Sequence, residues 1–251
     1  MSLIFLKILS AIVIIALTII SGLVPLRLAL RHQRLFAYSD AFASGVFLSA
    51  SLLHLLPDAA NGFSSAFPSF HYPLAQLICI ITFMILLLLE RSVLLYGAHH
   101  KPNGHNLAPL LLALVISIHS IVEGAAIGIN SSLAGMSVIL LAVLAHKSSE
   151  GLALSCNLHR YHIDHKKITK IILLFSLTSP LGIFIAGTSG HFIDGNAAKL
   201  SEMILDAVAA GTFLYLGTVH IIEKEKKFED IGEILAIVFG ITLMGLVAIY
   251  T

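Results

Sequence analysis

The chain has 251 residues, of which 57% are hydrophobic and only 12% are charged, and its mean hydropathy is +0.95. A soluble domain is about half apolar and about a quarter charged, so this composition indicates an integral membrane protein embedded in a lipid bilayer. The formal net charge of +1 gives no sign of a nucleic-acid partner or of a strongly acidic one.

Eight apolar segments are long enough to cross a bilayer as helices, each of which needs about 20 residues. They cover about residues 4–27, 36–57, 72–96, 108–130, 134–158, 168–188, 201–223 and 231–250. The first apolar segment is longer than the apolar core of a signal peptide, and no clean cleavage site follows it. We therefore predict that it is retained as a membrane span. Cys79 and Cys156 lie in separate spans without a CxxC motif, and we interpret both as packed free thiols.

Basic residues are concentrated on one side of the predicted membrane. Twelve of the 15 lysines and arginines lie in or near the loops that follow spans 1, 3, 5 and 7. They are Arg27, Arg31, Arg34, Arg91, Lys101, Arg160, Lys166, Lys167, Lys170, Lys224, Lys226 and Lys227. The opposite side holds Lys7 and Lys199, and Lys147 lies inside a span. The positive-inside rule therefore predicts that both termini are outside.

Two pairs of segments repeat within the chain. HSIVEGAAIGIN (119–130) and HKSSEGLALSCN (146–157) share His, Glu, Gly, Ala and Asn at matched positions. DAFASGVFLSASLLHLL (40–56) matches DAVAAGTFLYLGTVHII (206–222) at seven positions that include Asp, Phe and His, which argues against chance similarity between alanine-rich helices. Each pair lies on spans of opposite direction, which indicates an inverted 3+2+3 repeat of the kind found in secondary transporters.

The first repeat carries candidate metal ligands. His119 and Glu123, like His146 and Glu150, are four residues apart and share a helix face. Two imidazoles and two carboxylates together form a site for Zn²⁺, with Fe²⁺, Mn²⁺ or Co²⁺ as further candidates. In the alternative interpretation the carboxylates are protonated or paired with Lys147, and they hold the helices together without a metal.

Two residues follow the histidines at equivalent positions, Ser120 in span 4 and Lys147 in span 5. The Lys147 ammonium would neutralise part of the carboxylate charge or take the place of a second cation. The alternative is that its side chain extends to a nearby membrane surface.

Further polar residues mark a route through the membrane. His54 and Asp58 lie near the outer end of span 2, where we predict the metal entrance, and His220 and Glu223 lie near the inner end of span 7, where we predict release. Span 6 contains Pro180 and Gly182, which interrupt helical hydrogen bonding and favour a bend.

These motifs resemble those of the ZIP (Zrt/Irt-like) family of divalent-metal transporters. HSIVEGAAIG and HKSSEGLAL resemble the signatures of its fourth and fifth helices, and residues 45–59 and 206–225 resemble its second and seventh. The resemblance covers nearly the whole chain. It implies one transmembrane transporter domain over residues 1–251, with eight helices in a 3+2+3 bundle and both termini outside.

The family resemblance also implies that His119, Glu123, His146 and Glu150 form the transport site for Zn²⁺ or a similar ion, Cd²⁺ included. In members with two metals, the positions of Ser120 and Lys147 supply ligands to the second ion, and span 6 here lacks a carboxylate. We therefore expect one transported ion, no resident cofactor, a plasma or bacterial inner membrane location and assembly as a homodimer.

The function that these residues predict is movement of a divalent metal toward the cytoplasm by alternating access. The alternative from another class is an intramembrane zinc hydrolase, which also uses His and carboxylate ligands. The chain contains no HExxH motif, and the duplicated ligands favour a symmetric carrier over an enzyme. A metal sensor would need a soluble output domain, for which the predicted loops are too short.

Overall fold

The computed structural model describes residues 2–29, 33–99, 107–189, 195–223 and 230–249. Regular structure within these ranges is helical, as predicted, and no strand occurs in them. The helices are α1 (Leu3–Ala29), α2 (Gln33–Ala50), α3 (Leu56–Ala66), α4 (Leu74–His99), α5 (Leu107–Ile129), α6 (Leu133–Arg160), α7 (His165–Phe175), α8 (Thr178–Ser189), α9 (Gly195–Glu223) and α10 (Ile231–Val247).

The helices form a multi-pass membrane bundle. Seven described helical segments are long and apolar enough to span a bilayer, and α10 is a shorter apolar helix of 17 residues. Large apolar side chains such as Ile12, Ile80, Phe184 and Phe239 are more than half exposed on the outside of the bundle. Apolar surface of this extent is unfavourable in water and favourable against lipid, so the bundle is an integral membrane protein.

The second predicted span continues beyond its expected end at residue 57. A π-helical turn, Ser51–Leu55, joins α2 directly to α3, and the Leu56 amide donates to the Ser51 carbonyl. Pro57 has no amide hydrogen to continue the regular ladder, and the wider turn accommodates that loss. His54 and Asp58 therefore lie within a continuous helical rod that reaches Ala66.

The sixth predicted span is broken, as its sequence suggests, but slightly earlier than Pro180. Helix α7 ends at Phe175, and α8 begins at Thr178. Pro180 lies in the first turn of α8, where a missing amide hydrogen costs no helical hydrogen bond. The proline therefore marks the start of a new helix and does not kink a continuous one.

The helices pack in two groups. Group 1 contains α1, α5, α6 and α8, and group 2 contains α2 with α3, α4, α9 and α10. The groups meet mainly where α2 contacts α6 and α1, and to a smaller extent where α5 contacts α9. Phe47 and Phe213 are fully buried at this junction, and both cysteines are buried there or nearby as thiols outside any disulfide, as expected.

One loop-to-helix contact fixes α10 against α2. The Tyr38 hydroxyl donates to the Asp230 carboxylate, which also caps α10 by accepting from the Gly232 amide at 3.0 Å. The hydrogen bond from Tyr38, and to a smaller extent that from the Gly232 amide, stabilises the ionised carboxylate. The pKa of Asp230 therefore lies below its usual range.

Candidate metal centre

Two neighbouring helices supply the four predicted ligands. His119 and Glu123 lie on α5, and His146 and Glu150 lie on α6. All four side chains are buried, and Glu150 is fully enclosed. The helical i, i+4 spacing places each His one turn from its Glu, and the packing of α5 on α6 brings the two pairs face to face.

The potential ligand atoms converge on one point, with one atom from each residue within 4.8 Å of all the others. His119 Nε2 lies 2.8 Å from Glu123 Oε1 and 3.8 Å from Glu150 Oε1, and His146 Nε2 lies 3.7 Å from Glu150 Oε1. His146 Nε2 also contacts Glu123 Oε1. Tetrahedral zinc holds its nitrogen and oxygen ligands about 3.3 Å apart, so small adjustments of these side chains would form a four-coordinate site.

One carboxylate oxygen in this cluster is left without a hydrogen bond. Glu150 Oε1 is buried and has no partner among the described residues, and His119 Nε2 is close to Glu123 but is not aligned for a hydrogen bond. A buried charged oxygen without a partner is costly. A cation bound among the four atoms would remove this cost.

Lys147 occupies the opposite side of the two carboxylates. Its ammonium lies 2.7 Å from Glu150 Oε2 and 3.3 Å from Glu123 Oε2, and it donates to the Ser120 hydroxyl at 2.7 Å. The Ser120 hydroxyl in turn donates to Glu150 Oε2 at 2.9 Å. The lysine is fully buried, so the interpretation that it extends to the membrane surface is wrong.

Each glutamate therefore divides its two oxygens between two tasks. The Oε2 atoms of Glu123 and Glu150 contact Lys147, and the Oε1 atoms face the histidines. Ion pairing with Lys147 and metal coordination are thus compatible. With neutral histidines the cluster has a charge of about −1, which leaves a net attraction for a divalent cation.

Close packing against the neighbouring helices fixes the ligand-bearing backbones. A Cβ atom at Gly124 would overlap the Ser179 carbonyl of α8, and one at Gly151 would lie 2.9 Å from the Thr18 carbonyl of α1. Only glycine permits approach at such distances. The glycine that follows each glutamate in the repeated motif therefore presses its helix against a neighbour and holds the carboxylate in place.

An aromatic side chain that the sequence analysis did not assign to the site positions both imidazoles. The Phe213 ring lies 4.7 Å from the His119 ring and 5.5 Å from the His146 ring, in edge-to-face geometry in both cases. Phe47 packs against Phe213 at 4.8 Å between ring centroids. These two phenylalanines are matched positions of the second repeat, and that match was the available signal.

A cavity that carries several titratable side chains lies beside the cluster on one side. Its volume is about 150 Å³, and its polar lining includes His54, Asp58, Glu202 and Asp206. The last three also line a larger cavity of about 1020 Å³. We call this larger cavity the vestibule and the corresponding end of the bundle the vestibule side.

The structure thus places His54 and Asp58 on the cavity beside the cluster, and His54 Nδ1 lies 3.1 Å from Asp58 Oδ2. The sequence analysis missed Glu202 and Asp206, although their i, i+4 spacing near the start of span 7 was a usable signal.

A family model of the ZIP zinc transporters matches residues 4–109 and 98–248, which is nearly the whole chain. The chain belongs to the ZIP family. Its curated relatives include the bovine zinc transporter ZIP1, which is 27% identical over 93% of this chain and 87% of its own length. Mouse zinc transporter ZIP2 is 25% identical over 87% of each chain.

A third curated relative matches a shorter region with higher identity. The Dictyostelium discoideum protein zntD is 37% identical over 57% of this chain and 22% of its own length. The family assignment does not depend on this partial match, because the relatives above cover most of both chains.

The predicted release residues lie at the end of the helix bundle opposite the vestibule. His220 and Glu223 belong to the last turn of α9, but their side chains are outside the part of the structure that is described. They stay a prediction. We call this end of the bundle, which carries Arg160 at the end of α6, the basic side.

Proposed function

We propose that this ZIP protein transports Zn²⁺, or a similar divalent ion, through the His119, Glu123, His146 and Glu150 cluster by alternating access. The observation that carries the proposal is the convergence of four buried nitrogen and oxygen atoms, one of which is a carboxylate oxygen without a hydrogen bond. The ZIP1 and ZIP2 relatives are named as zinc transporters.

The proposed path begins in the vestibule. Hydrated metal reaches the acidic walls formed by Asp58, Glu202 and Asp206, passes His54, and exchanges water for the four ligands of the cluster. Acidic walls of low-dielectric surroundings concentrate cations near the site. On the basic side, His220 and Glu223 would accept the ion as it leaves.

We propose that the cluster holds a single transported ion. Lys147 lies against the oxygens that face away from the histidines, and its charge there substitutes for a second metal. The ligand set contains no thiolate and suits zinc, with Fe²⁺, Mn²⁺, Co²⁺ and Cd²⁺ as further candidates.

Matched helix contacts support the inverted 3+2+3 arrangement. The contact of α1 with α6 has its counterpart in that of α8 with α5, and the contact of α2 with α10 has its counterpart in that of α9 with α4. The repeat-matched Gly45 and Gly211 both pack on a backbone carbonyl, those of Ile237 and Cys79. These pairings are expected if spans 1–3 and 6–8 are related by a two-fold axis in the membrane plane.

The distribution of lysine and arginine supports a cytoplasmic location for the basic side, with both termini outside. Metal would therefore move from the vestibule into the cytoplasm. Location in a plasma or bacterial inner membrane and assembly as a homodimer remain predictions. Family membership favours a transporter over the hydrolase alternative.

Zinc flux into proteoliposomes that contain a zinc-sensitive dye tests the proposal. Wild type should carry zinc, and His119→Ala and Glu150→Ala should be inactive while they elute as folded protein. His71→Ala is the matched control, because this exposed histidine lies between α3 and α4, away from the cluster. Wild-type protein that binds zinc but carries neither zinc nor another divalent ion would contradict the proposal.

A further inference from the structure

The route from the metal cluster toward the basic side is closed. Beyond Phe47 and Phe213, the described residues enclose a small cavity of about 30 Å³, whose polar lining includes Asp40, Asn157 and Arg160. The vestibule on the other side measures about 1020 Å³. In the part of the chain that the structure describes, the bundle is therefore open toward the vestibule and closed toward the basic side.

Two consecutive residues at the end of α6 make polar contacts across this closed end. Arg160 Nη2 donates to Asp40 Oδ2 of α2 at 2.8 Å, and the Tyr161 hydroxyl donates to Glu90 Oε1 of α4 at 3.4 Å. Helix α6 carries two of the four candidate metal ligands. The C-terminal end of this helix is thus held between α2 and α4.

Both contacts join the two packing groups. Helix α6 belongs to group 1, and α2 and α4 belong to group 2. Any relative movement of the groups that opens the basic side must break them. The Asp40 side chain is 13% exposed and that of Arg160 is 36% exposed, and an ion pair with this access to water is weak enough to break and reform.

Among the described residues of the vestibule side there is no equivalent ion pair. In the repeat that relates α2 to α9, Asp40 matches Asp206. The repeat that relates α5 to α6 aligns Asn130 with Asn157, and the same alignment places Leu133 opposite Arg160. An uncharged leucine cannot form an ion pair with Asp206. The charge asymmetry therefore stabilises closure on the basic side, without a matching ion pair on the vestibule side.

We propose that Arg160–Asp40, assisted by Tyr161–Glu90, is a latch that keeps the basic side closed while the vestibule is open, and that it opens in each transport cycle. The cycle itself rests on the proposed transport function. The latch sets the balance between the two states, so its removal shifts the protein toward an arrangement open on the basic side.

The test measures access to the closed cavity with a cysteine reporter. Ser44, which lines this cavity and is buried, is replaced as Ser44→Cys in a background where Cys79 and Cys156 are alanine. The rate of its reaction with a polar maleimide is then followed in purified protein in nanodiscs. Asp40→Asn and Arg160→Gln should each raise the rate about two- to fivefold, which is the range expected from loss of a partly exposed ion pair.

A charge exchange separates the latch from general damage to the fold. The double variant Asp40→Arg with Arg160→Asp should react at close to the unmodified rate, although either change alone accelerates the reaction. Tyr161→Phe should give a smaller increase. Lys166→Gln, which removes an exposed charge on the same side, should change nothing.

Unchanged reactivity in folded Asp40→Asn and Arg160→Gln would overturn the latch, and so would a double variant as reactive as the single ones. The labelling needs no metal. If wild type carries no divalent ion while the labelling behaves as expected, the transport proposal fails and the latch stands. If wild type carries metal but the variants are labelled at the wild-type rate, the transport proposal stands and the latch fails.

Discussion

Replacement of Lys147 by methionine tests the electrostatic balance of the metal cluster. Methionine retains most of the side-chain volume but leaves the Oε2 atoms of Glu123 and Glu150 without the ammonium that lies 3.3 Å and 2.7 Å away. At an effective dielectric constant of about 20 each of these attractions amounts to about 5–6 kcal/mol before desolvation. Removal of one member of a buried ion pair costs about 3–5 kcal/mol in total, and we expect this loss in metal-free protein.

The assay is thermal unfolding in detergent, first with a chelator and then with zinc. Lys147→Met should unfold at a clearly lower temperature than wild type in chelator. Zinc should raise its transition more than that of wild type, because the variant cluster carries one more uncompensated negative charge. Lys199→Met, at an exposed lysine of the vestibule, is the control. Equal transitions for the two variants in chelator would refute the account of Lys147.

Three further predictions concern the same site. Gly124→Ala should lower stability by about 1–3 kcal/mol or prevent folding, since its Cβ overlaps the Ser179 carbonyl. Gly187→Ala is the control and should be nearly neutral, because its Cβ would lie at an ordinary 3.6 Å from the nearest atom. Equal thermal transitions for Gly124→Ala and Gly187→Ala would argue against the close packing at Gly124. Ser120→Ala removes a partner of both Lys147 and Glu150 and should cost about 1–3 kcal/mol in the chelator melt; an unchanged transition would contradict the hydrogen-bond network. Zinc uptake should fall as the external pH is lowered from about 7.5 to about 5.5, because histidine binds metal only when neutral, and a steady rise in uptake would indicate proton coupling instead.

The local chemistry of the cluster was predictable because it repeats. The i, i+4 spacing places His119 beside Glu123 and His146 beside Glu150 on any helix, and the duplication indicates that the two pairs act together. The position of Lys147 was not predictable in the same way. Whether a lysine within a span extends to the surface or pairs with carboxylates depends on how the helices pack, and the sequence left both interpretations open.

Features that depend on tertiary packing were the ones missed. Phe213 contacts both imidazoles from α9, more than 60 residues away in the chain, and helical periodicity alone does not distinguish such a residue from ordinary core. Glu202 and Asp206 gained meaning only when α9 was placed beside the rod that carries His54 and Asp58. The extension of that rod to Ala66 also escaped prediction, because the π-helical turn before Pro57 restores a helix that a proline would otherwise be expected to end.

The location of bound zinc tests the central claim most directly. An anomalous difference map at the zinc edge from crystals grown with zinc should contain one strong peak about 2.0–2.2 Å from His119 Nε2, His146 Nε2, Glu123 Oε1 and Glu150 Oε1. In the same map for Glu150→Gln, this zinc peak should be absent or much weaker. Zinc bound only elsewhere, in the vestibule or at the predicted release residues His220 and Glu223, with none between α5 and α6, would contradict the account.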